Sequence, residues 1–212
     1  MFITLEGIEG SGKTTQINNI VNFLQKQNHA CITTREPGGT GIGRQIRTIL
    51  LDPNNSDLDP LAELLLYAAD RAQHVKSVIK PHLAAGSTVI CDRFFDATTV
   101  YQGIARGLDM TVINKLHEIV LGGIRPDLTL LFDLPVETGL QRAWDSLDKG
   151  SRSDRESRFE KESLAFHEKI RNGYLALAKQ EPGRFRIINA ADEEHEVLEN
   201  IIAVLSQYLQ KK

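Results

Sequence analysis

Phe2-Ile3-Thr4-Leu5 runs through Glu6 into Gly7-Ile8-Glu9-Gly10-Ser11-Gly12-Lys13-Thr14. The first four residues read as a short buried strand, and the last eight fit G-x-x-x-x-G-K-[ST]. Ile17, Ile20, Val21 and Leu24 follow at i, i+3, i+4 and i+7, one stripe of a helix. A glycine-rich turn between a strand and a helix is the context in which this pattern binds phosphate. Glycines let backbone N–H groups turn inward around an anion, and the helix N-terminus adds unpaired donors and partial positive charge. Lys13 supplies a point charge to the β- and γ-phosphates of ATP, and the Thr14 hydroxyl is a ligand for Mg²⁺. Gly7 to Thr14, with Thr15 behind them, are therefore the expected ATP-binding residues.

Outward from this stretch, apolar runs alternate with helix-period segments. Ala30–Thr34, Thr88–Cys91, Leu128–Asp133 and Phe185–Ile188 are the further candidate strands. Val197, Leu198, Ile201, Ile202, Leu205 and Leu209 form a second helical stripe. Alternation over the whole chain predicts an α/β fold, a five-stranded parallel sheet covered by helices on both faces. Ligands of such sheets bind at the carboxyl ends of the strands.

The 212 residues, 41% hydrophobic, fit one domain with a real core. The 25 Lys and Arg against 28 Asp and Glu leave a net charge of −3, which argues against a nucleic-acid polymer as partner. Cys31 and Cys91 lie in apolar runs and read as reduced core thiols. No run of about 18 apolar residues suggests a membrane span, and the first strand carries no leader signature, so a cytoplasmic protein is expected.

The phosphate loop leaves the acceptor open. A GTPase would carry N-K-x-D after a strand, whereas Asn114-Lys115 is followed by Leu116-His117 inside a helical pattern. A motor-type or assembly ATPase would place a catalytic carboxylate after the Asp that ends the third strand. Here Arg93 follows Asp92, which suits an anionic acceptor. Further clusters lie at strand ends or on a helix: Thr34-Arg35-Glu36-Pro37-Gly38-Gly39, Asp92-Arg93-Phe94 continuing to Tyr101-Gln102-Gly103, and Tyr67-Ala68-Ala69-Asp70-Arg71. Tyr67 and Arg71 share a helix face at i, i+4, and a ring beside a guanidinium makes a plausible nucleobase clamp. Taken singly, a core-edge tyrosine and a surface ion-pair arginine are the commoner readings. Regulatory P-loop ATPases and sibling kinases for dUMP, CMP or GMP stay open.

Together, GIEGSGKTT, TREPGG, YAADR, CDRF, YQG with ARG close behind, and RPDLTLLFD resemble the bacterial thymidylate kinases over essentially the whole chain. The resemblance implies the nucleoside monophosphate kinase fold, transfer of the γ-phosphoryl of ATP to dTMP with Mg²⁺, and a homodimer. It implies that Lys13, Asp92 and Arg93 serve catalysis, with Asp92 touching the metal through water beside Thr14. Arg47 and Arg93 would clamp the dTMP phosphate, with Glu9 near the sugar 3′-hydroxyl. Tyr67 would stack on thymine and Arg71 would donate to its carbonyl. Thr98 and Gln102 would contact base or phosphate, and Tyr101 with Gln102 would crowd C2′. Glu36 would organise Arg93 and the metal side, and Pro37 would follow a cis bond. Arg142 and the Asn189–Ala191 turn would face adenine.

The segment 145–161, DSLDKGSRSDRESRFEK, is charged and poor in apolar residues. It reads as a mobile surface segment between two helices or as a solvated, helix-rich connector, and the resemblance makes it the lid. Because the phosphate loop has no basic side chain among residues 8–11, the resemblance places the catalytic arginines here. Arg158 fits the family's lid motif through Arg158-Phe159-Glu160, with Ser157 where Asp is common. Asp154-Arg155 offers a second register, and either arginine remains possible.

Overall fold

The computed structural model describes residues 1–149 and 156–210. Five strands, β1 (Phe2–Gly7), β2 (Cys31–Arg35), β3 (Thr88–Asp92), β4 (Leu128–Asp133) and β5 (Phe185–Asn189), form one parallel sheet in the order β2-β3-β1-β4-β5. Each expected strand is present, and β4 has the expected limits. The other four extend one or two residues further at their carboxyl ends, where the functional residues sit. β1 is buried along its whole length because neighbours flank it on both sides.

Helices cover both faces: α1 (Lys13–Lys26), α2 (Gly41–Leu51), α3 (Pro60–His74), α4 (Lys80–Ala84), α5 (Phe95–Thr98), α6 (Met110–Leu121), α7 (Val136–Asp148), α8 (Leu164–Gln180) and α9 (Glu194–Leu209). Ile20 and Leu24 of α1 and Ile201 and Leu205 of α9 are wholly buried, as their stripes predict. Most caps are local: Thr40 Oγ1 accepts from the Gly43 N–H at 2.8 Å, and Asp59 Oδ1 from the Leu61 N–H at 2.8 Å beside Pro60. Helix α1 differs. Gly12 precedes it with φ +84° and no side chain caps it, so its first-turn N–H groups remain directed at the loop. A π-helical segment, Thr99–Ala105, continues α5 and turns Tyr101 and Gln102 into the protein.

Both cysteines are free thiols; Cys91 is buried, but Cys31 is only half-buried because β2 is an edge strand. Among the described residues no helix is long and apolar enough to cross a membrane. The expectation of a mobile surface segment over 145–161 is corrected where it is described. Asp145–Asp148 belong to α7, and Ser157, Arg158, Phe159 and Glu160 are all buried. Phe159 packs edge-on to Tyr101 at 5.4 Å, and the Arg158 charge is met by Glu63, so a composition poor in apolar residues still finds an interior. Arg155 lies outside the described residues.

Candidate active site

One cleft of about 960 Å³ opens at the carboxyl ends of the strands. The phosphate loop forms its floor. Gly10 has φ +67°, and a Cβ there would lie 1.9 Å from the Gly139 carbonyl oxygen, so only glycine lets the loop pass α7. Lys13 Nζ donates to Ile8 O at 2.9 Å, Ser11 Oγ at 2.9 Å and Gly7 O at 3.2 Å. Burial lowers its pKa to about 8, with Arg93 adding to the effect. Glu9, Gly10, Ser11, Gly12, Lys13, Thr14 and Thr15 line the cleft. Gly7 and Ile8 do not line it, and Ile8 points its side chain into the core, which departs from the expectation that they bind ATP alongside the rest of the loop. Asp92 lines the same cleft as Thr14, and its Oδ1 is buried without a hydrogen-bond partner. A carboxylate and a hydroxyl, both hard oxygen donors, suit a small divalent cation.

The wall of the cleft away from the phosphate loop carries arginines arriving on different elements. Arg93 follows β3 with φ +65°, a left-handed conformation unusual for a residue with a side chain. Its amide donates to Leu5 O, and the next amide, Phe94, donates to Glu6 Oε1 at 2.7 Å, which holds that turn. The guanidinium donates to Glu9 Oε1 at 3.0 Å and Tyr174 Oη at 3.3 Å, and lies 5.0 Å over the Tyr101 ring. Tyr101 Oη donates to Glu9 Oε1 at 2.6 Å. Burial alone would raise the Glu9 carboxyl, but the Arg93 charge, then His167 and Tyr101, hold it well below the usual carboxylate range. Deeper, burial and the nearby Asp96 push Glu6 up to about 8.

Arg47 reaches the same cleft from α2. Its Nε and Nη2 donate to the two Glu156 carboxylate oxygens at 2.9 and 2.8 Å, and its Nη1 donates to Pro37 O at 3.0 Å. The Glu36–Pro37 bond is cis, as expected. Arg71 of α3 is buried, donating to Glu36 Oε2 at 2.7 Å, Thr98 Oγ1 at 2.9 Å and Phe94 O at 3.2 Å. Tyr67, one turn before it, lines the cleft beside it, as the i, i+4 spacing predicts. Glu36 departs from expectation: its carboxylate binds Arg71 and His74 Nδ1, not Arg93, because Arg71 and the wholly buried His74 of α3 present their donors to it while Arg93 is turned to Glu9. Gln102 lines the cleft with Thr98, and its amide donates to the wholly buried Glu63 at 2.7 Å. At the opposite end, Arg142 donates to Ala190 O at 2.8 Å, and both residues border the loop side of the cleft.

The structure thus brings Lys13, Thr14, Asp92, Arg47, Arg93, Tyr67, Arg71, Thr98, Gln102 and Arg142 to one opening. It does not bring Arg158 there. Arg158 donates to Leu50 O and Glu63 Oε2 and lies over the Phe159 ring, so its charge is spent on anchoring residues 157–160 to α2 and α3. Sequence reasoning missed Glu63, Glu156, His167 and Tyr174. Of these, only His167 and Tyr174 carried a signal: two polar rings at i, i+7 on the otherwise apolar face of α8.

A family profile described as thymidylate kinase matches residues 5–201. The thymidylate kinase of Desulfosudis oleivorans is 57% identical, covering 98% of this chain and 97% of that protein. That of Syntrophotalea carbinolica is 54% identical over 98% and 96%. A solved thymidylate kinase structure from Ehrlichia chaffeensis superimposes with a TM-score of 0.75 at 34% identity, covering 97% of this chain and 98% of that one. With a profile spanning nearly the whole chain, full-length relatives and the same sheet, the chain belongs to the thymidylate kinase family.

Proposed function

We propose that the protein phosphorylates dTMP to dTDP by direct in-line transfer from ATP, with two phosphate-binding walls facing each other across one cleft. An oxygen of the dTMP phosphate attacks the γ-phosphorus of ATP, the bond from that phosphorus to the bridging oxygen breaks, and ADP leaves. The attacking phosphate is already largely ionised near neutral pH, so no strong base is required, and positioning with charge stabilisation carries catalysis. The observation that supports this reading is that Arg47 and Arg93, from distant parts of the chain, line the same cleft as Lys13.

In this reading Lys13 and the loop amides take the ATP phosphates, and Arg142 with the Asn189–Ala191 turn borders adenine. Mg²⁺, when bound, screens the phosphate charge, and Thr14 and Asp92 are the residues that would hold it. Arg93 and Arg47 take the acceptor phosphate, and Glu9 takes the sugar hydroxyl. Tyr67 stacks on the base, with Arg71, Thr98 and Gln102 around its edge and Tyr101 beside the sugar. The lid role falls to the stretch between α7 and the anchored residues 157–160, with an arginine that approaches the transferring phosphoryl on closure, when water is expelled. Arg155 is the candidate for that role, since Arg158 is already committed to Glu63.

The test is ADP release measured over a panel of dTMP, dUMP, CMP and GMP. Release that depends on dTMP supports the reading. Turnover indifferent to the acceptor would make the chain a regulatory ATPase, and preference for another monophosphate would assign a sibling activity.

We also infer a homodimer. Ile42 and Ile49 of α2, Leu61 and Leu65 of α3, and Val112 and Ile119 of α6 are exposed on three neighbouring helices, more apolar surface than scattered residues explain. A Leu65→Glu chain is expected to sediment as a monomer. A dimer unaffected by Leu65→Glu or Ile49→Glu would exclude this face. With nucleotide substrates of this kind, we place the protein in the cytoplasm.

A further inference from the structure

We propose that His167 is a positioning residue of the acceptor site, held as an imidazolium between Glu9 and the Phe159 carbonyl, where it pins the Glu9 carboxylate. The inference rests on the reading that Glu9 meets the acceptor's sugar hydroxyl.

His167 is wholly buried on α8. Its Nε2 is 3.0 Å from Phe159 O, and its Nδ1 is 3.3 Å from Glu9 Oε2. A carbonyl oxygen only accepts, so Nε2 carries a hydrogen. Glu9, beside Arg93, is ionised and also only accepts. A neutral ring would therefore set the Nδ1 lone pair beside an anion in a buried site, whereas a doubly protonated ring donates to Phe159 O and places its charge against Glu9 Oε2, an ion-pair contact that is not aligned as a hydrogen bond.

The surrounding charges agree. Glu9 faces the ring from the phosphate loop and Glu160 from the segment before α8; both favour the cation, and together with the Phe159 carbonyl they outweigh burial, which lowers its pKa. Arg93 lies beyond Glu9 on that residue's other oxygen, with Tyr101 from the π-helical segment. Tyr174, one face of α8 along, is turned to Glu6 and Arg93. Glu9 Oε1 is thus held by Arg93 and Tyr101, and Oε2 faces His167. A carboxylate fixed from three elements meets a hydroxyl without first losing rotamer freedom. The pKa of His167 is raised, so this pairing is complete below the ordinary histidine range and is lost as pH rises through the elevated value.

The test combines spectroscopy with binding. In the ¹⁵N-labelled full-length chain, the His167 ring nitrogens are expected to be both protonated at the ordinary histidine midpoint, about pH 6.5. A neutral His167 tautomer would overturn the inference whatever the variants do. For binding, dTMP and its 3′-deoxy analogue are compared without ATP. The unsubstituted chain is expected to prefer dTMP by about tenfold or more, the worth of a hydrogen bond to a charged group. His167→Gln retains an N–H for Phe159 O but no charge, and is expected to narrow that preference to about threefold while binding the 3′-deoxy analogue nearly as before. Equal losses for both ligands would mean a purely structural residue, and an unchanged preference would likewise overturn the inference. If the unsubstituted chain itself fails to distinguish the two ligands, the Glu9 reading falls and takes the inference with it. Acceptor-dependent ADP release would separately show whether the kinase reading survives.

Discussion

Replacing Arg93 with methionine keeps most of the side-chain volume and removes the charge. In the structure that guanidinium donates to Glu9 and Tyr174 and lies over Tyr101, and the residue lines the cleft. Two losses follow. The acceptor phosphate loses charge-assisted hydrogen bonds worth about 1.5–3 kcal/mol each, or about 3–5 kcal/mol for a pair that is not fully additive. At about 1.4 kcal/mol per decade, kcat/KM for dTMP falls by roughly two to four decades. The fold also loses a partner: Glu9 stays buried with only Tyr101 and His167. Breaking a buried pair costs about 3–5 kcal/mol, and the two surviving partners bring that to about 2–3 kcal/mol. For a chain of this size the Tm falls by about 4–12 °C.

Glu9 provides an internal check. Its carboxyl is held below the usual range, so its contribution to stability is full above about pH 4.3 and is lost as pH falls below that. Without Arg93, burial dominates, the carboxyl rises, and this acid-side contribution is lost. The assays are coupled ADP release well below the variant's Tm, and Tm against pH for both chains. A variant within about threefold of wild-type kcat/KM for dTMP would refute the assignment of Arg93 to the acceptor phosphate.

Three other perturbations follow from the geometry. Lys13, lowered to about 8 in the free protein, takes up a proton when it meets ATP phosphates, so calorimetry at pH 8.5 is expected to show buffer-dependent proton uptake that Lys13→Met abolishes; between about 8 and 10.4 the unfolded chain binds the extra proton, so this residue makes stability rise with pH. Glu156→Gln removes the carboxylate that occupies the Arg47 fork and is expected to tighten dTMP binding by about three- to tenfold without raising kcat; weaker binding would show that Glu156 helps to hold the acceptor instead. Gly10→Ala combines a positive φ with a Cβ 1.9 Å from Gly139 O and is expected to weaken ATP binding by at least about tenfold; near-normal ATP affinity would mean that the loop tolerates another path.

Much of this was legible because the residues that bind phosphate must sit where backbone geometry permits it. The loop after β1, Asp92-Arg93 at the end of β3 and the Tyr67–Arg71 face of α3 were all readable from short spacings, and the alternation of apolar runs with helical stripes gave a parallel sheet but not its strand order. The pairing partners were not. Glu63 joins Gln102 and Arg158, and Glu156 joins Arg47, across separations that only the tertiary fold closes. Charge-rich residues 157–160 read as surface because local composition cannot reveal that Glu63 and the Tyr101 and Phe166 rings await them. Glu36, expected beside Arg93, likewise finds its partners only in the fold, where it pairs with Arg71 and His74 of α3.

Direct transfer between facing phosphate sites has a stereochemical signature. ATP made chiral at the γ-phosphorus with sulfur and oxygen isotopes, turned over with dTMP, is expected to give dTDP analogue with inverted configuration at that phosphorus. Retention would require two displacements through a phosphorylated protein group, and would contradict a cleft in which Lys13 holds one phosphate chain directly opposite the other on Arg47 and Arg93.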